Sequence, residues 1–171
     1  MEKKLKKYLK NNKFLNVSEK TSKTMSAIKS KNNKSTEIKL KMALVGSKLK
    51  GWKLNYKDLP GKPDFYFTNH KLAIFVDGCF WHGCPQCGHI PKTRTSFWNA
   101  KISRNIERDK LINENYKNLK IKIIRIWEHE IKNKIDLQKI IAYISKLLIK
   151  GIKYDFNGST KTKPNKSRRN R

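Results

Sequence analysis

One stretch limits what this chain can become: Phe75-Val76-Asp77-Gly78-Cys79-Phe80-Trp81-His82-Gly83-Cys84-Pro85-Gln86-Cys87. All three cysteines of the protein fall in it. Two thiolates spaced as Cys84-x-x-Cys87 can face one tetrahedral ion, and Cys79 lies near enough to be a third ligand. The sequence offers His129, in Ile126-Trp127-Glu128-His129, as the fourth. A cysteine pair at this spacing can instead be redox-active, but the third cysteine and the lack of a thioredoxin-like context favour a structural zinc. That zinc would tie the loop to the end of a later strand.

The chain has 171 residues, about one domain's length, and can bury one core. Lys and Arg number 41 against 13 Asp and Glu, a net charge of +28 that points to a polyanion, most simply nucleic acid. An AT-rich coding sequence, which favours Lys, Asn and Ile codons, contributes to the same excess. An odd number of cysteines in a metal-type cluster argues against a disulfide scaffold and for a reducing compartment, the cytoplasm. The charged N-terminus has no apolar signal region, and no run has the length of a membrane span.

Residues 1–34 read as a basic arm. Leu5, Tyr8 and Leu9 line a short helix there, and Thr24–Lys31 is a basic segment that orders on DNA. A helix starts near Ser35 or Thr36 with Glu37 in its first turn. Ile38, Met42, Val45 and Leu49 form its apolar spacing, and Gly51 its stop. Strands are expected at Trp52–Tyr56, Asp64–Phe67, Leu72–Val76 and Ile121–Trp127. The third is nearly all apolar, as a strand buried on both faces should be. Between the last two strands lie a basic loop with His89, Lys92 and Arg94 and a helix from about Ser96. That helix carries Trp98, Ile102, Ile106, Leu111 and Ile112 as its apolar set, with Lys101, Arg104, Asn105, Arg108 and Asp109 as its polar set. Asp136 caps a last helix. The order implies one α/β domain over residues 35–150, a mixed sheet flanked by helices. Residues 151–171 form a basic tail expected to be disordered.

Asp64 and Asp77 end neighbouring strand segments joined by a short turn. Two carboxylates at one sheet edge can share a hard cation such as Mg²⁺, and that ion beside a nucleic-acid groove implies phosphodiester hydrolysis. Solvated strand-end acids are the alternative. His82 is open to three roles: zinc ligand, general acid/base or packed side chain. Phe80 and Trp81, between Gly78 and Gly83, suit wedging into a base stack or packing over the zinc, and Trp98 can join either arrangement.

Together these residues carry a resemblance. Gly61-Lys62-Pro63-Asp64-Phe65, Phe75 to His82, Thr93-Arg94-Thr95-Ser96-Phe97-Trp98, Asn105-Ile106-Glu107-Arg108-Asp109 and Ile126-Trp127-Glu128-His129 run in the order found in the very short patch repair endonucleases, which the chain resembles from about Met25 to Ile131. Met25-Ser26-Ala27-Ile28 and Glu37 also fall where that family has a basic DNA-binding segment and an acid. The resemblance implies a restriction-endonuclease-like fold of the PD-(D/E)xK type with a structural zinc on Cys79, Cys84, Cys87 and His129. It implies a Mg²⁺-dependent nick 5′ of the thymine in a T·G mismatch left by 5-methylcytosine deamination. Asp64 and the Val76 carbonyl match magnesium positions, His82 the catalytic histidine, and Asp109 an acid that supports the site. Phe80, Trp81 and Trp98 match the aromatics that enter DNA beside the mismatch.

Asp77 stands where the best-known member has a second histidine, so metal ligand and base are both open to it. The wider nuclease superfamily has a lysine two residues after its second acid; Cys79 is there instead, so neutralisation must come from elsewhere, with His82 one source. The expected partner is double-stranded DNA, with other mismatch-repair proteins possible, and the expected state is a monomer at the nucleoid. Two other readings are a restriction-type or structure-selective nuclease on the same scaffold, and a non-catalytic zinc-dependent DNA-binding module.

Overall fold

The structure is a computed structural model that describes residues 36–150 and two short stretches before them. Those stretches, β1 (Leu9–Lys10) and β2 (Lys13–Phe14), pair antiparallel, so Leu9 lies in a strand and not in the expected helix. The rest of the basic arm, with Met25 and Ile28, and the tail 151–171 lie outside the described residues.

Four strands form the main sheet in the order β3 (Trp52–Leu54), β4 (Phe65–Phe67), β5 (Leu72–Asp77), β6 (Lys122–Trp127). β3–β4 and β4–β5 are antiparallel, and β5–β6 is parallel. A short turn suffices between β4 and β5: the 3₁₀ turn Thr68–His70 closes with Lys71 at φ 46°. A parallel neighbour needs a long crossover. Helix α2 (Thr95–Asn118) supplies it.

Side chains alternate across a strand, so each face of β5 has its own core. Leu72 and Ile74 join Phe65, Phe67 and Ile126 against α1 (Glu37–Gly46), α3 (Glu128–Lys132) and α4 (Lys134–Lys150). Ala73 and Phe75 pack with Tyr66 against Ile112 and Tyr116 of α2. Phe65 and Phe67 have no exposed surface, and each fully buried side chain of this size contributes about 1.5–3 kcal/mol. The result is the expected mixed sheet between helices.

Several local expectations shift. The buried face of α1 is Leu40 and Leu44, whereas Met42 and Val45 are exposed, and the helix ends at Gly46, well before Gly51. On α2, Leu111 is exposed and Phe97 and Tyr116 are buried, while Asp109, expected among the polar residues, is only 9% exposed. The cap of α4 is Asn133, whose Oδ1 accepts from the N–H groups of Ile135 and Asp136. On α1 and α2 contact with the rest of the core decided which side of the helix turned inward, and helical spacing alone does not fix that.

Candidate active site and metal centre

The C-terminal ends of β5 and β6 lie side by side, with Asp77 opposite Trp127. Past Asp77 the chain folds into consecutive tight turns. His82 N–H donates to the Gly78 carbonyl at 3.1 Å, Cys84 N–H to Cys79 at 2.9 Å, and Gly88 N–H to Cys84 at 2.8 Å. Past Trp127, the Glu130 carboxylate accepts from the Trp127 N–H at 2.7 Å and starts α3. That turn sets His129 beside the cysteines.

Cys79, Cys84, Cys87 and His129 place their ligand atoms within 4.8 Å of one another. The three sulfurs lie 3.3, 3.6 and 3.4 Å from His129 Nδ1, and Cys84 and Cys87 Sγ are 3.6 Å apart. A zinc ion with bonds of about 2.0–2.3 Å needs tetrahedral edges of roughly 3.5–3.8 Å, so the donor set fits. Burial resists ionisation of Cys84, but backbone N–H groups of Cys87 and Gln86 outweigh it and bring the thiol down to about 7. Cys87, hydrogen-bonded to Cys79 and Cys84 and repelled by their charge, is pushed up to about 12. A cation among the sulfurs would offset this mutual repulsion.

Gly88 makes the knuckle possible. A Cβ there would lie 2.4 Å from the Cys84 carbonyl oxygen, a backbone atom with little room to yield. Gly88→Ala is expected to weaken zinc binding about 10- to 100-fold, as loss of a supporting contact does. Competition with a chromogenic chelator measures it, and unchanged zinc affinity would refute the role.

On the α2 side of the sheet, two carboxylates, a guanidinium and an imidazole interlock. His82 Nδ1 lies 2.5 Å from Asp109 Oδ2 and 3.7 Å from Asp77 Oδ1. Arg125 donates through Nε to Asp77 Oδ2 at 2.5 Å, and through Nη2 to Asp77 Oδ1 at 3.0 Å and Asp109 Oδ1 at 2.8 Å. Burial opposes ionisation of Asp109, but His82 and Arg125 outweigh it and hold the carboxyl below its ordinary value. With Nδ1 turned to a carboxylate, Nε2 is the nitrogen left to exchange a proton.

Asp64 sits apart from this network. Its Oδ2 accepts from the Val76 N–H at 2.7 Å. Burial pushes the carboxyl up to about 7 against that bond, and the charges of Glu37 and Asp77 push the same way. A half-buried acid that feels the charge of two neighbouring carboxylates and has no cation of its own in these contacts suits a hard cation.

The aromatics meet as expected. Phe80 lies 5.0 Å from Trp81 and 5.1 Å from Trp98, ring centre to ring centre, and Trp81 and Trp98 are 6.1 Å apart. Asn105 Nδ2 donates to the Trp81 carbonyl at 2.8 Å and fastens this loop to α2. Lys92 and Arg94 are exposed in the loop leading to α2, with the Arg94 guanidinium over the Phe97 ring.

Sequence reasoning missed Arg125 and Asn113, and placed Asn105 in a motif without the contact it makes. Arg125 left a signal: a lone cation inside Ile123-Ile124-Arg125-Ile126. It pairs with Asp77, where the sequence had pointed to His82 as one source of positive charge for the site. Among the described residues no helix is long and apolar enough to cross a membrane.

Comparisons with known proteins point to one family. The family model for the DNA mismatch endonuclease Vsr matches residues 15–87. The type II nicking enzyme V.NaeI of Lentzea aerocolonigenes is 43% identical over 83 residues, 48% of this chain and 47% of that enzyme. The chain thus spans about half the length of that relative. The DNA mismatch endonuclease Vsr of Escherichia coli K12 is 36% identical over 109 residues, 63% of this chain and 68% of the enzyme. The type II nicking enzyme V.NmeDIP of Neisseria meningitidis serogroup C is 37% identical over 115 residues, covering 66% and 76%.

Proposed function

This chain belongs to the Vsr family of DNA mismatch endonucleases, and from that premise we propose that it is a Mg²⁺-dependent endonuclease that nicks DNA 5′ of the thymine in a T·G mismatch. Its fold would be the restriction-endonuclease-like one. The observation that carries the reading is the juxtaposition of Asp64, the His82–Asp109 pair and the aromatic cluster at one end of the sheet. Relatives called nicking enzymes favour a cut in one strand.

Asp64 and the Val76 carbonyl would hold the ion. When bound there, Mg²⁺ polarises the scissile phosphate and makes a bound water more acidic. His82, aligned by Asp109, moves a proton through Nε2 at the attacking water or the leaving oxygen. Phe80, Trp81 and Trp98 enter the stack, where a poorly paired T·G step opens at lower cost than a matched one. Lys92 and Arg94 bind phosphates, which position the duplex without reading its sequence. Met25 and Ile28 belong to the same DNA-binding surface in this reading, and Glu37 supports Asp64.

End-labelled T·G, matched and bulged duplexes incubated with Mg²⁺ test the reading. T·G duplex should be nicked fastest. Preference for matched DNA would point to a restriction-type enzyme, and no cleavage of any duplex to a binding module. Trp81→Ala should slow T·G cleavage roughly 10- to 1000-fold, the cost of a lost stacking contact and some alignment. Part of that rate should return on a duplex already bulged at the site. Equal loss on open and closed duplexes would make Trp81 a residue of the fold.

A further inference from the structure

The sequence leaves Asp77 between two roles, and the contacts of Arg125 bear on the choice. Both oxygens of Asp77 face that guanidinium, Oδ2 at 2.5 Å and Oδ1 at 3.0 Å. Asp77 is 4% exposed. A magnesium ion there would have to displace a paired cation or share its oxygens at short range, and Mg²⁺ tolerates little departure from its octahedron. Arg125 is held by further contacts. Nη2 also reaches Asp109 Oδ1 at 2.8 Å, Nη1 donates to Asn113 Oδ1 at 3.2 Å, and Phe75 lies under the guanidinium at 5.1 Å. Four of its five N–H groups are thus engaged inside the site.

We propose that Arg125 is the positioning residue of this site: it locks Asp77 to Asp109, and through Asp109 sets the ring of His82, so that Asp77 is an anchor and not a magnesium ligand. The elements make this necessary. Asp77 ends β5, Arg125 lies on β6, and Asp109 and Asn113 stand one turn apart on α2. The guanidinium touches all three elements at once. Without it, two buried carboxylates face each other across His82, and the ring loses its fixed partner. A lysine has one nitrogen where the guanidinium uses three in a fixed plane, so it cannot restore the arrangement. The proposal rests on the endonuclease reading for its activity readout.

The test uses full-length, zinc-loaded protein with Arg125→Met, Arg125→Lys, Asp77→Asn and the double variant. Arg125→Met should cut the single-turnover rate about 100-fold, the scale of a small misplacement of a reacting group. Half-saturating duplex and half-saturating Mg²⁺ should stay within about twofold, as for a group that touches neither. Arg125→Lys should regain little. Asp77→Asn should also leave half-saturating Mg²⁺ in place, and the double variant should melt higher than Arg125→Met alone. Ring ¹⁵N spectra of His82 at fixed pH should lose the hydrogen-bonded Nδ1–H signal in Arg125→Met and Arg125→Lys. That spectrum decides the positioning role even if the wild type cuts no duplex, a result that would sink only the endonuclease reading. A rise of about tenfold or more in half-saturating Mg²⁺ for Asp77→Asn would make Asp77 a ligand. An unchanged His82 signal in both Arg125 variants would remove Arg125 from the site, whether or not Arg125→Met folds well enough for kinetics.

Discussion

Asp64→Asn is expected to abolish cleavage and, without metal, to make the protein more stable at pH 8. The two effects have one cause. Burial, helped by Glu37 and Asp77, pushes the Asp64 carboxyl up to about 7. In the unfolded chain it titrates near 3.9. Below that value both states are protonated and nothing is lost. As pH rises from about 4 to about 7, the unfolded chain releases the proton and the folded protein keeps it, so stability falls. Above about 7 the loss is complete. Three pH units correspond to about 4 kcal/mol at most, and partial solvation of a half-buried group lowers that to an order of 1–3 kcal/mol.

Asparagine keeps the acceptor for the Val76 N–H and never ionises, so its stability should be level across this window. Melting temperature measured from pH 4 to 8 should show wild type declining and Asp64→Asn holding. Saturating Mg²⁺ should raise the wild type and leave the variant where it was. Asp109, whose carboxyl is held below its ordinary value, acts in the opposite sense and at lower pH, so the difference between the two proteins isolates Asp64. Cleavage should drop by about 10³-fold or more, since the ion contributes several kcal/mol of charge stabilisation in the transition state. Parallel melting profiles would mean that Asp64 is not starved of counter-charge, and near-normal cleavage would remove it from the metal site.

Zinc removal should have the largest effect on the fold. The Cys79–Cys87 loop carries Phe80, Trp81 and His82, and the four-donor cluster is what joins it to His129 after β6. Structural zinc in small domains binds with about 10–16 kcal/mol, which equals or exceeds the whole stability of a typical domain. One zinc per chain is expected on metal analysis. Stripping it with a strong chelator should remove the cooperative melting transition and all cleavage, and adding Mg²⁺ should not restore either. Cys79→Ser should behave like the stripped protein. His129→Cys should stay folded, because zinc accepts thiolate and imidazole alike. Carefully purified protein without zinc would overturn this assignment, as would Cys79→Ser with normal metal content and melting.

By itself the sequence determined the parts whose chemistry is local. Cys84 and Cys87 define a knuckle by spacing, the apolar run Leu72–Val76 defines a central strand, and the charge of +28 points towards a polyanion. Period-2 and composition signals need no partner segment to be read. Tertiary structure decided what depends on register. The parallel pairing of β5 with β6 sets Phe75 opposite Arg125 and Asp77 opposite Trp127, which turns a lone arginine among isoleucines into the counter-charge of Asp77. Packing of α2 on that same face buried Asp109, which helical spacing had placed among solvent-facing residues. A one-residue slip would send Arg125 to the opposite face of the sheet, because side chains alternate along a strand. No property of Arg125 within its own strand records which register the fold adopts.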